Sequence, residues 1–153
     1  MFSGAEKERE DAYRLRYQVY CEEMNLDSPN ADHKQKTLTD KLDAFGHIFN
    51  IYSDEKCIAT VRLNVLSEGD IGEFRNLYHV NNDSSADQTA ILTKLMVLKE
   101  KRRTKILYAL FKKAYVFGLK RSLSATKAHD VVPTDRAPHE AVGAAGEITV
   151  GVP

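Results

Sequence analysis

The sequence predicts a single α+β domain in which helices flank a mixed β-sheet. Its length of 153 residues is that of one domain with a core of its own. Segments with helical periodicity alternate with segments of strand periodicity, and no internal repeat interrupts them. The connections combine a tight turn, which suits antiparallel strands, with a helical crossover, which suits parallel strands.

The first part of the chain predicts a helix followed by a loop. Residues 5–24 are amphipathic, because Tyr13, Tyr17 and Tyr20 recur at steps of four and three and share one face. Residues 25–39 are polar and rich in turn-forming residues, which predicts a loop before the first strand.

Two neighbouring strands are predicted next, at residues 46–52 and 56–66, with a turn at residues 53–55. In the second strand small apolar side chains alternate with mostly polar ones, so its two faces are expected to meet different surroundings. Residues 67–89 are acidic and polar, which predicts an irregular connection to the next strand.

A strand, a helix and a short strand complete the predicted core. Residues 91–98 are apolar on both sides, as in a central strand, and residues 104–120 predict a long helix. Residues 122–126 predict a short strand. We therefore expect a core at residues 1–126 and a divergent C-terminal segment at residues 127–153, which is rich in Ala, Gly and Pro.

The composition argues against three classes of protein: membrane proteins, exported proteins and metal-binding proteins. No apolar stretch approaches the roughly 18 residues of a membrane helix, and the N-terminus lacks a signal-peptide core. Cys21 and Cys57 form neither a disulfide framework nor a zinc pattern, and the histidines have no metal-ligand spacing. We expect a cytoplasmic protein with two buried thiols, no bound metal and no permanently bound cofactor.

The formal net charge of zero conceals an uneven distribution. Residues 94–127 carry 11 basic side chains and one acidic one, whereas residues 1–93 carry 10 basic and 17 acidic ones. A basic block of this kind predicts a negatively charged partner. The alternative is that its cations only solvate one face of a helix, which suits Lys112, Lys113 and Lys120. A nucleic acid is the weaker candidate, because interleaved aromatic residues and a nucleic-acid-binding motif are missing.

Several motifs resemble those of N-acyltransferases in the GNAT superfamily. Residues 13–21, YRLRYQVYC, resemble the opening helix of the acyltransferases associated with the exosortase (PEP-CTERM) system, and more distantly that of the acyl-homoserine-lactone (autoinducer) synthases. The further matches are the paired aspartates 40 and 43, the strand at 59–63, the strand, loop and helix at 95–110, and the closing segment at 139–153. The resemblance implies a GNAT-like fold and transfer of an acyl group from an acyl carrier protein or CoA thioester to an amine, such as an amino acid.

The resemblance also places four charged residues at the acceptor site, namely Arg16, Asp40, Asp43 and Arg62. Arg16 lies in the apolar stripe of the first helix, where a buried guanidinium requires a carboxylate partner. Two like charges at Asp40 and Asp43 are expected to raise the pKa of one carboxyl, which would help it to accept a proton from the amine. On their own, the two aspartates favour a solvated acidic loop, and Arg62 fits an exposed face of the sheet.

The basic loop before the long second helix is predicted to hold the acyl donor. GNAT proteins that bind CoA usually have glycines here, but Arg103, Lys105 and Leu107 occupy those positions, so we do not expect a tight pyrophosphate cradle. Cationic side chains suit the single phosphate of a phosphopantetheine arm and the acidic surface of an acyl carrier protein, with acyl-CoA as the alternative. The predicted donor-binding residues are Lys99, Lys101, Arg102, Arg103 and Lys105.

Two departures favour a second hypothesis, a catalytically weakened module that binds a carrier protein without turnover. On the central strand the family's Glu-x-Ser-Arg motif becomes Ile-Leu-Thr-Lys at residues 91–94, so the glutamate is lost and Lys94 replaces the arginine. Lysine does not reproduce a bidentate arginine contact. The tyrosine often used as general acid in GNAT proteins aligns with His139, which can also donate a proton.

Overall fold

The computed structural model describes residues 4–77, 80, 86–121, 123 and 125–128, the last four as backbone only. The helices are α1 (Gly4–Tyr17), α2 (Phe74–Leu77) and α3 (Ile106–Lys120), and the strands are β1 (Ala31–Asp32), β2 (Thr37–Leu38), β3 (His47–Ser53), β4 (Lys56–Val65), β5 (Thr89–Val97) and β6 (Ala125–Ala128). Within this part of the chain, no helix combines the length and apolar character that crossing a membrane requires.

A four-stranded mixed sheet with the order β3-β4-β5-β6 forms the centre of the fold. β3 and β4 are antiparallel, as are β4 and β5, whereas β5 and β6 run parallel. The crossover between the two parallel strands contains α3. The predicted α+β class, with a mixed sheet and flanking helices, is therefore confirmed.

The face of the sheet that packs against α3 is apolar. Alternate residues of β4, including Val61 and Leu63, form one core cluster with Leu110 and Ala114 of α3. A separate cluster joins Leu15 of α1 and its neighbours to the α1-facing side chains of β4 and β5. The two long helices thus lie on opposite faces of the sheet.

The face that packs against α1 carries a buried polar stripe. Its members are Asn50 on β3, Thr60, Arg62 and Asn64 on β4, and Thr93 on β5, all at most 6% exposed. Buried polar groups are costly unless they find hydrogen-bond partners, so a polar stripe under a helix indicates a function beyond packing. Alternation along β4 therefore separates an apolar face from a polar one, as its sequence predicts.

A β-bulge lies in the middle of β5. The pairing shifts from Thr60 opposite Met96 to Arg62 opposite Thr93, so Lys94 and Leu95 face a single residue of β4. Lys94 has φ 55°, in the left-handed region. Parallel pairing with β6 covers residues 89–92 and ends just before the bulge. Among the described residues, the rest of β5 therefore has a strand neighbour on the β4 side only.

Several predicted boundaries differ from the observed ones. The helix predicted at 5–24 ends as an α-helix at Tyr17 and continues as a π-helical turn, Gln18–Glu23. The predicted loop at 25–39 contains the small hairpin of β1 and β2. Its turn is stabilised because Asp32 accepts hydrogen bonds from the backbone N–H groups of Lys34 and Gln35, a local motif that a polar composition hides.

The end of the predicted core is shifted. β5 begins at Thr89, two residues before its predicted start, and the short strand predicted at 122–126 is observed at Ala125–Ala128. The predicted closing helix and strand at residues 139–153 lie outside the described residues. The domain boundary at residue 126 stays a prediction.

Candidate acceptor and donor sites

Arg16 lies in the last turn of α1 and is fully buried. Its Nη1 atom donates to both carboxylate oxygens of Asp43, at 2.9 Å each. The guanidinium also lies 5.3 Å from the centre of the Tyr13 ring, which is within cation–π range. The buried arginine therefore has the carboxylate partner that its place in the apolar stripe requires.

A turn of 3₁₀-helix, Lys41–Phe45, fixes the two aspartates. Asp40 caps this turn by accepting a hydrogen bond from the backbone N–H of Leu42 at 2.9 Å. Asp43 reaches back and accepts from the backbone N–H of Asp40 at 2.8 Å, which completes a capping box. The reciprocal cap turns both carboxylates towards the sheet, so their spacing of three residues has a structural cause.

Arg9 ties the same turn to α1. Its guanidinium donates to the carbonyl oxygens of Asp43 and Gly46, at 2.8 Å each. Sequence reasoning missed this residue, because an arginine in the first half of an amphipathic helix is usually a solvated charge. Its contacts span 34 and 37 residues, a separation that helical periodicity does not reveal.

Arg62 connects the aspartates to the sheet. Its side chain is fully buried, and its Nη1 atom donates to the Asp40 carboxylate and, at 3.0 Å, to Asp43 Oδ1. Its Nε atom donates to Thr93 Oγ1 on β5 at 3.0 Å. The structure thus brings together all four residues predicted for the acceptor site. Arg62 lies on a buried sheet face, which excludes the alternative of an exposed cation.

Lys94 joins this network from the bulge of β5. Its Nζ atom lies 3.5 Å from Asp40 Oδ2 and 5.4 Å from the centre of the Tyr20 ring. Sequence reasoning treated Lys94 only as the loss of an arginine. The bulge that directs it towards Asp40 is a feature of strand pairing, and strand pairing leaves no local signature in the sequence.

The network has more positive than negative charge. Arg16, Arg62 and Lys94 face the two carboxylates of Asp40 and Asp43, so one positive charge is left over. The buried atoms Arg16 Nε, Arg16 Nη2 and Arg62 Nη2 have no hydrogen-bond partner among the described residues. Charge and hydrogen bonding therefore both leave room for an acceptor group or for ordered water.

The predicted rise in the pKa of one aspartate is wrong for Asp40. Burial opposes ionisation of this carboxyl, but the hydrogen bond and positive charge of Arg62, with the charge of Lys94, outweigh burial and hold the pKa of Asp40 below its ordinary value. Burial lowers the pKa of Arg16, and the neighbouring Asp43 carboxylate opposes that shift. Because Arg62 and Lys94 together outweigh burial, Asp40 is an anion and a weak base.

The basic residues of the loop before α3 differ in their burial and contacts. Arg102 donates to Glu23 Oε2 at 2.7 Å and to the Val97 carbonyl at 2.9 Å, so its charge already has a partner. Lys99, Arg103 and Lys105 are exposed, and Lys101 is half-buried. The donor-binding role of these residues stays a prediction.

Arg103 has the backbone conformation that a glycine would favour. Its φ is 64°, in the left-handed region, at one of the positions where CoA-binding GNAT proteins have glycine. Lys105, the N-cap residue of α3, makes no side-chain cap, and Thr104 Oγ1 accepts a hydrogen bond from the backbone N–H of Ile106 at 3.4 Å. The loop therefore keeps the glycine-type turn but fills it with a cationic side chain.

An apolar cavity of about 340 Å³ lies between α3 and the sheet. It is lined by Leu63 and Leu92, which are directly paired across β4 and β5, and by the apolar side of α3. The adjacent cross-strand pair is Arg62 and Thr93, which belongs to the charged network on the other face. The cavity and the network thus lie on opposite faces of the sheet, at adjacent cross-strand pairs.

Both cysteines have thiol pKa values raised above the ordinary value, which acts against thiolate formation. Burial raises the pKa of the Cys57 thiol to about 12, and burial together with nearby Asp27 and Glu22 raises that of Cys21. In the described part of the chain, no cluster of three or more His, Cys, Asp or Glu side chains could hold a metal ion. His139, predicted as a proton donor, lies outside the described residues.

Comparison with known families identifies the chain. Residues 11–142 match the protein family described as N-acyl amino acid synthase FeeM. The chain belongs to this family. The FeeM match covers α1 from Asp11 onward, the capping turn, the whole sheet and α3, and therefore every residue of the charged network. A search of curated protein sequences gives no significant match.

Solved structures place the FeeM-family chain in the GNAT-like fold. The CoA-dependent acyl-homoserine lactone synthase BjaI, solved with SAM and isopentyl-CoA, is 18% identical with a TM-score of 0.64, over 80% of this chain and 59% of that one. The AHL synthase LasI is 16% identical with a TM-score of 0.62, over 83% of this chain and 66% of that one. A putative N-acetyltransferase from Lactobacillus plantarum is 19% identical with a TM-score of 0.54, over 85% of this chain and 71% of that one. The chain spans about three fifths of the length of BjaI, and the predicted GNAT-like fold is confirmed.

Proposed function

We propose that this chain transfers an acyl group from a thioester to an amine, with an amino acid or a similar molecule as the acceptor. The observation that carries the proposal is the convergence of Arg16, Asp40, Asp43 and Arg62 beside the bulge of β5. Membership of the FeeM family and the GNAT-like fold support the same reaction type.

In the proposed reaction the acceptor approaches on the α1 side of the sheet. Its ammonium binds at Asp40 Oδ2, the carboxylate oxygen that faces Lys94 rather than Arg62. After the ammonium loses a proton to water, the nitrogen attacks the thioester carbonyl carbon. A C–N bond forms, the C–S bond breaks, and the departing thiolate takes up the second proton of the amine.

The bulge supplies a means of stabilising the charge that develops on the carbonyl oxygen. Lys94 and Leu95 are outside the regular pairing with β4, so the backbone ladder is interrupted at this point. Backbone N–H groups that are fixed in place and not used in a ladder are effective donors to an oxyanion. The reacting carbonyl is therefore assigned to the β5 edge at the bulge.

The apolar cavity is assigned to the acyl chain. A donor that lies across the β5 edge would place its reacting carbon near the charged network and its chain on the α3 side, among Leu63, Leu92 and Phe111. Burial of each methylene contributes about 0.8 kcal/mol, so such a cavity favours fatty acyl groups over acetyl. The cavity volume lies at the small end of the range for ligand pockets.

We assign the donor's phosphopantetheine arm to the basic loop, and an acyl carrier protein as its usual source. Lys99, Lys101, Arg103 and Lys105 carry positive charges in the loop that leads into the N-terminus of α3. An acidic carrier protein would meet this block by charge complementarity. Acyl-CoA is the second donor to be tested.

The test is a thiol-release assay with acyl carrier proteins and CoA loaded with acyl chains of several lengths. We expect free thiol to appear only when an amine is supplied, and faster with long chains than with acetyl. The matched control is Lys56→Gln, which changes an exposed lysine at the start of β4, roughly 20 Å along the strand from Arg62.

The same assay distinguishes the enzyme from a non-catalytic binding module. A protein that binds a loaded carrier but releases no thiol with any chain length or amine would support the module and overturn the transferase. Release that is equal with and without an amine would indicate thioester hydrolysis, and it would also contradict the proposal.

A further inference from the structure

The outer face of α3 is strongly apolar. Leu110, Ala114 and Gly118 are buried against the sheet, and the opposite side of such a helix normally carries polar residues. In the described part of the chain, seven large hydrophobic side chains are exposed, and five of them belong to α3, namely Leu107, Tyr108, Tyr115, Val116 and Leu119. Tyr108 is 71% exposed. A contiguous exposed apolar patch marks an interaction surface.

Lysines are the only charged residues of α3. The helix contains Lys112, Lys113 and Lys120, and no aspartate or glutamate. Lys113 donates to the backbone carbonyl of Asn50 at 2.7 Å rather than to a carboxylate. Among the described residues, no carboxylate forms an ion pair with any of the three lysines. The outer face therefore combines apolar surface with positive charge that the described residues do not neutralise.

Two apolar openings flank the outer face of α3. On one side, Tyr108, Tyr115 and Leu119 also line the cavity of about 340 Å³. On the other side, an apolar groove of about 500 Å³ lies between α3 and the β3 residues Phe49 and Ile51. The apolar surface is thus wider than the helix, and it runs for about 16 Å along the axis from Tyr108 to Leu119.

We propose that the outer face of α3 docks on the surface of an anionic lipid bilayer. Lysine side chains lay their stems along apolar surface and extend the ammonium to lipid phosphates, and tyrosine places its ring among acyl chains with its hydroxyl in water. Helices that lie on a membrane surface combine apolar side chains with lysines in this way. Docking would also bring the lining of the apolar cavity against lipid, although the proposal does not depend on acyl transfer.

Other occupants fit the face less well. Two copies of the chain that met through α3 would bring six lysines together, with no acidic residue on either helix to offset them. Lysine is also depleted at interfaces between proteins. A bilayer that contains anionic lipids has a mobile phosphate for each lysine and an apolar layer beneath it, so it matches both properties of the face.

Co-sedimentation of the full chain with lipid vesicles tests the proposal. We expect binding to vesicles made of equal parts phosphatidylglycerol and phosphatidylcholine, and binding about 10-fold weaker or less to phosphatidylcholine alone. Lys112→Glu with Lys120→Glu should weaken binding to the anionic vesicles by about 20-fold or more, because each lysine near such a surface contributes a factor of about five. Lys112→Arg with Lys120→Arg should preserve binding. Lys56→Glu, at an exposed position on β4, is the control.

A tryptophan probe locates the contact. The sequence contains no tryptophan, so the fluorescence of Tyr108→Trp reports on this position alone. We expect its emission to shift to shorter wavelength when anionic vesicles are added. Leu77→Trp, which labels an exposed leucine of α2, is the matched control and should show no shift.

The outcomes distinguish the bilayer from other occupants. Absence of vesicle binding, or binding that the double charge reversal leaves unchanged, would overturn the proposal. A dimer that Tyr108→Ser with Leu119→Ser dissociates would assign the face to a second copy. Binding of an acyl carrier protein that the same variant abolishes, without vesicle binding by the wild type, would assign it to an acidic protein. Either assignment would also overturn the bilayer proposal, and circular dichroism checks that each variant is folded.

Discussion

Asp43 is the residue on which the charged network depends most. Its carboxylate accepts hydrogen bonds from Arg16, from Arg62 and from the backbone of Asp40, and it is 5% exposed. Removing its charge leaves two buried guanidinium groups with a single carboxylate between them, in surroundings where water cannot replace it.

We therefore expect Asp43→Asn to lower the free energy of unfolding by about 3–5 kcal/mol, the cost of breaking a buried ion pair. Urea denaturation followed by circular dichroism measures this loss. Asp87→Asn, which neutralises an exposed aspartate, is the control and should change stability by less than about 0.5 kcal/mol. A loss below about 1 kcal/mol for Asp43→Asn would contradict the network as described.

The lowered pKa of Asp40 predicts that part of the free energy of unfolding is lost at acid pH. Since its pKa is lower in the folded chain than the value of about 3.9 for an unfolded one, the unfolded chain binds a proton more readily. The contribution of Asp40 is thus complete above about pH 4 and is lost as the pH falls through the folded-state pKa. Stability curves between neutral and acid pH should be flatter for Asp40→Asn than for the wild type. Parallel curves would show that Asp40 is not paired.

The sequence predicted four of the five network residues, and the reason is physical. Arg16 and Arg62 are arginines in otherwise apolar or half-apolar segments, where a charge needs a partner, and the aspartates lie at capping spacing. Lys94 was missed because its role depends on a bulge. The predicted rise in the pKa of one of the two aspartates is wrong for Asp40, because the sequence shows the second aspartate but not that Arg62 and Lys94 both lie beside Asp40.

Among the secondary-structure elements, the start of β3 determines where Arg62 can lie. Gly46 precedes this strand, and a Cβ atom there would come within 2.6 Å of Arg62 Cδ and within 2.9 Å of its Cγ. Arg62 cannot move aside freely, because Asp40, Asp43 and Thr93 hold its guanidinium. A glycine is required at this position by the close approach of a side chain and not by backbone conformation.

We expect Gly46→Ala to destabilise the fold by about 1–3 kcal/mol, as overpacking of a core does, and to lower acyl transfer by displacing Arg62. Thermal denaturation and the thiol-release assay measure the two effects. The matched control is Gly118→Ala in α3, where the nearest atom is Leu123 Cδ1 at 3.7 Å. Because alanine favours a helix, this control should be neutral or stabilising by about 0.5–1 kcal/mol. Equal effects at both glycines would contradict the role of Gly46.

Element types were more predictable than their ends and pairing. Alternation in β4 and helical spacing in α1 and α3 are local patterns, so these elements appear where the sequence predicts them. The π-helical turn after Tyr17, the hairpin of β1 and β2, and the bulge in β5 depend on hydrogen bonds that sequence periodicity does not encode.

At the scale of the whole molecule, the sheet separates the charged network from the apolar cavity. Charged groups lie on the α1 face, the apolar cavity lies on the α3 face, and the basic loop lies at the start of α3. The uneven charge distribution of the sequence predicted the basic loop. It could not show that Arg102 is paired with Glu23, a contact between residues 79 positions apart.

The basic loop predicts salt-dependent binding of an acyl carrier protein. We expect affinity to fall as ionic strength rises, because exposed charges are screened over about 10 Å at 0.1 M salt. Reversing two loop charges with Lys99→Glu and Lys101→Glu should weaken binding by 10-fold or more, on the order of 1.4 kcal/mol. Lys56→Glu is the control of equal charge change. Affinity that is independent of salt and of the loop charges would exclude this surface as the docking site.

The central claim is that the charged network at the β5 bulge accepts an amine for acylation. Mass spectrometry of the N-acylated product, formed from a loaded carrier protein and an amino acid, tests it most directly in the wild type and in Asp40→Asn. We expect product with the wild type and a rate lower by about 100-fold in a folded Asp40→Asn protein, as misplacing an acceptor does. An equal rate in both proteins, or no product from the wild type with any donor and acceptor, would contradict the claim.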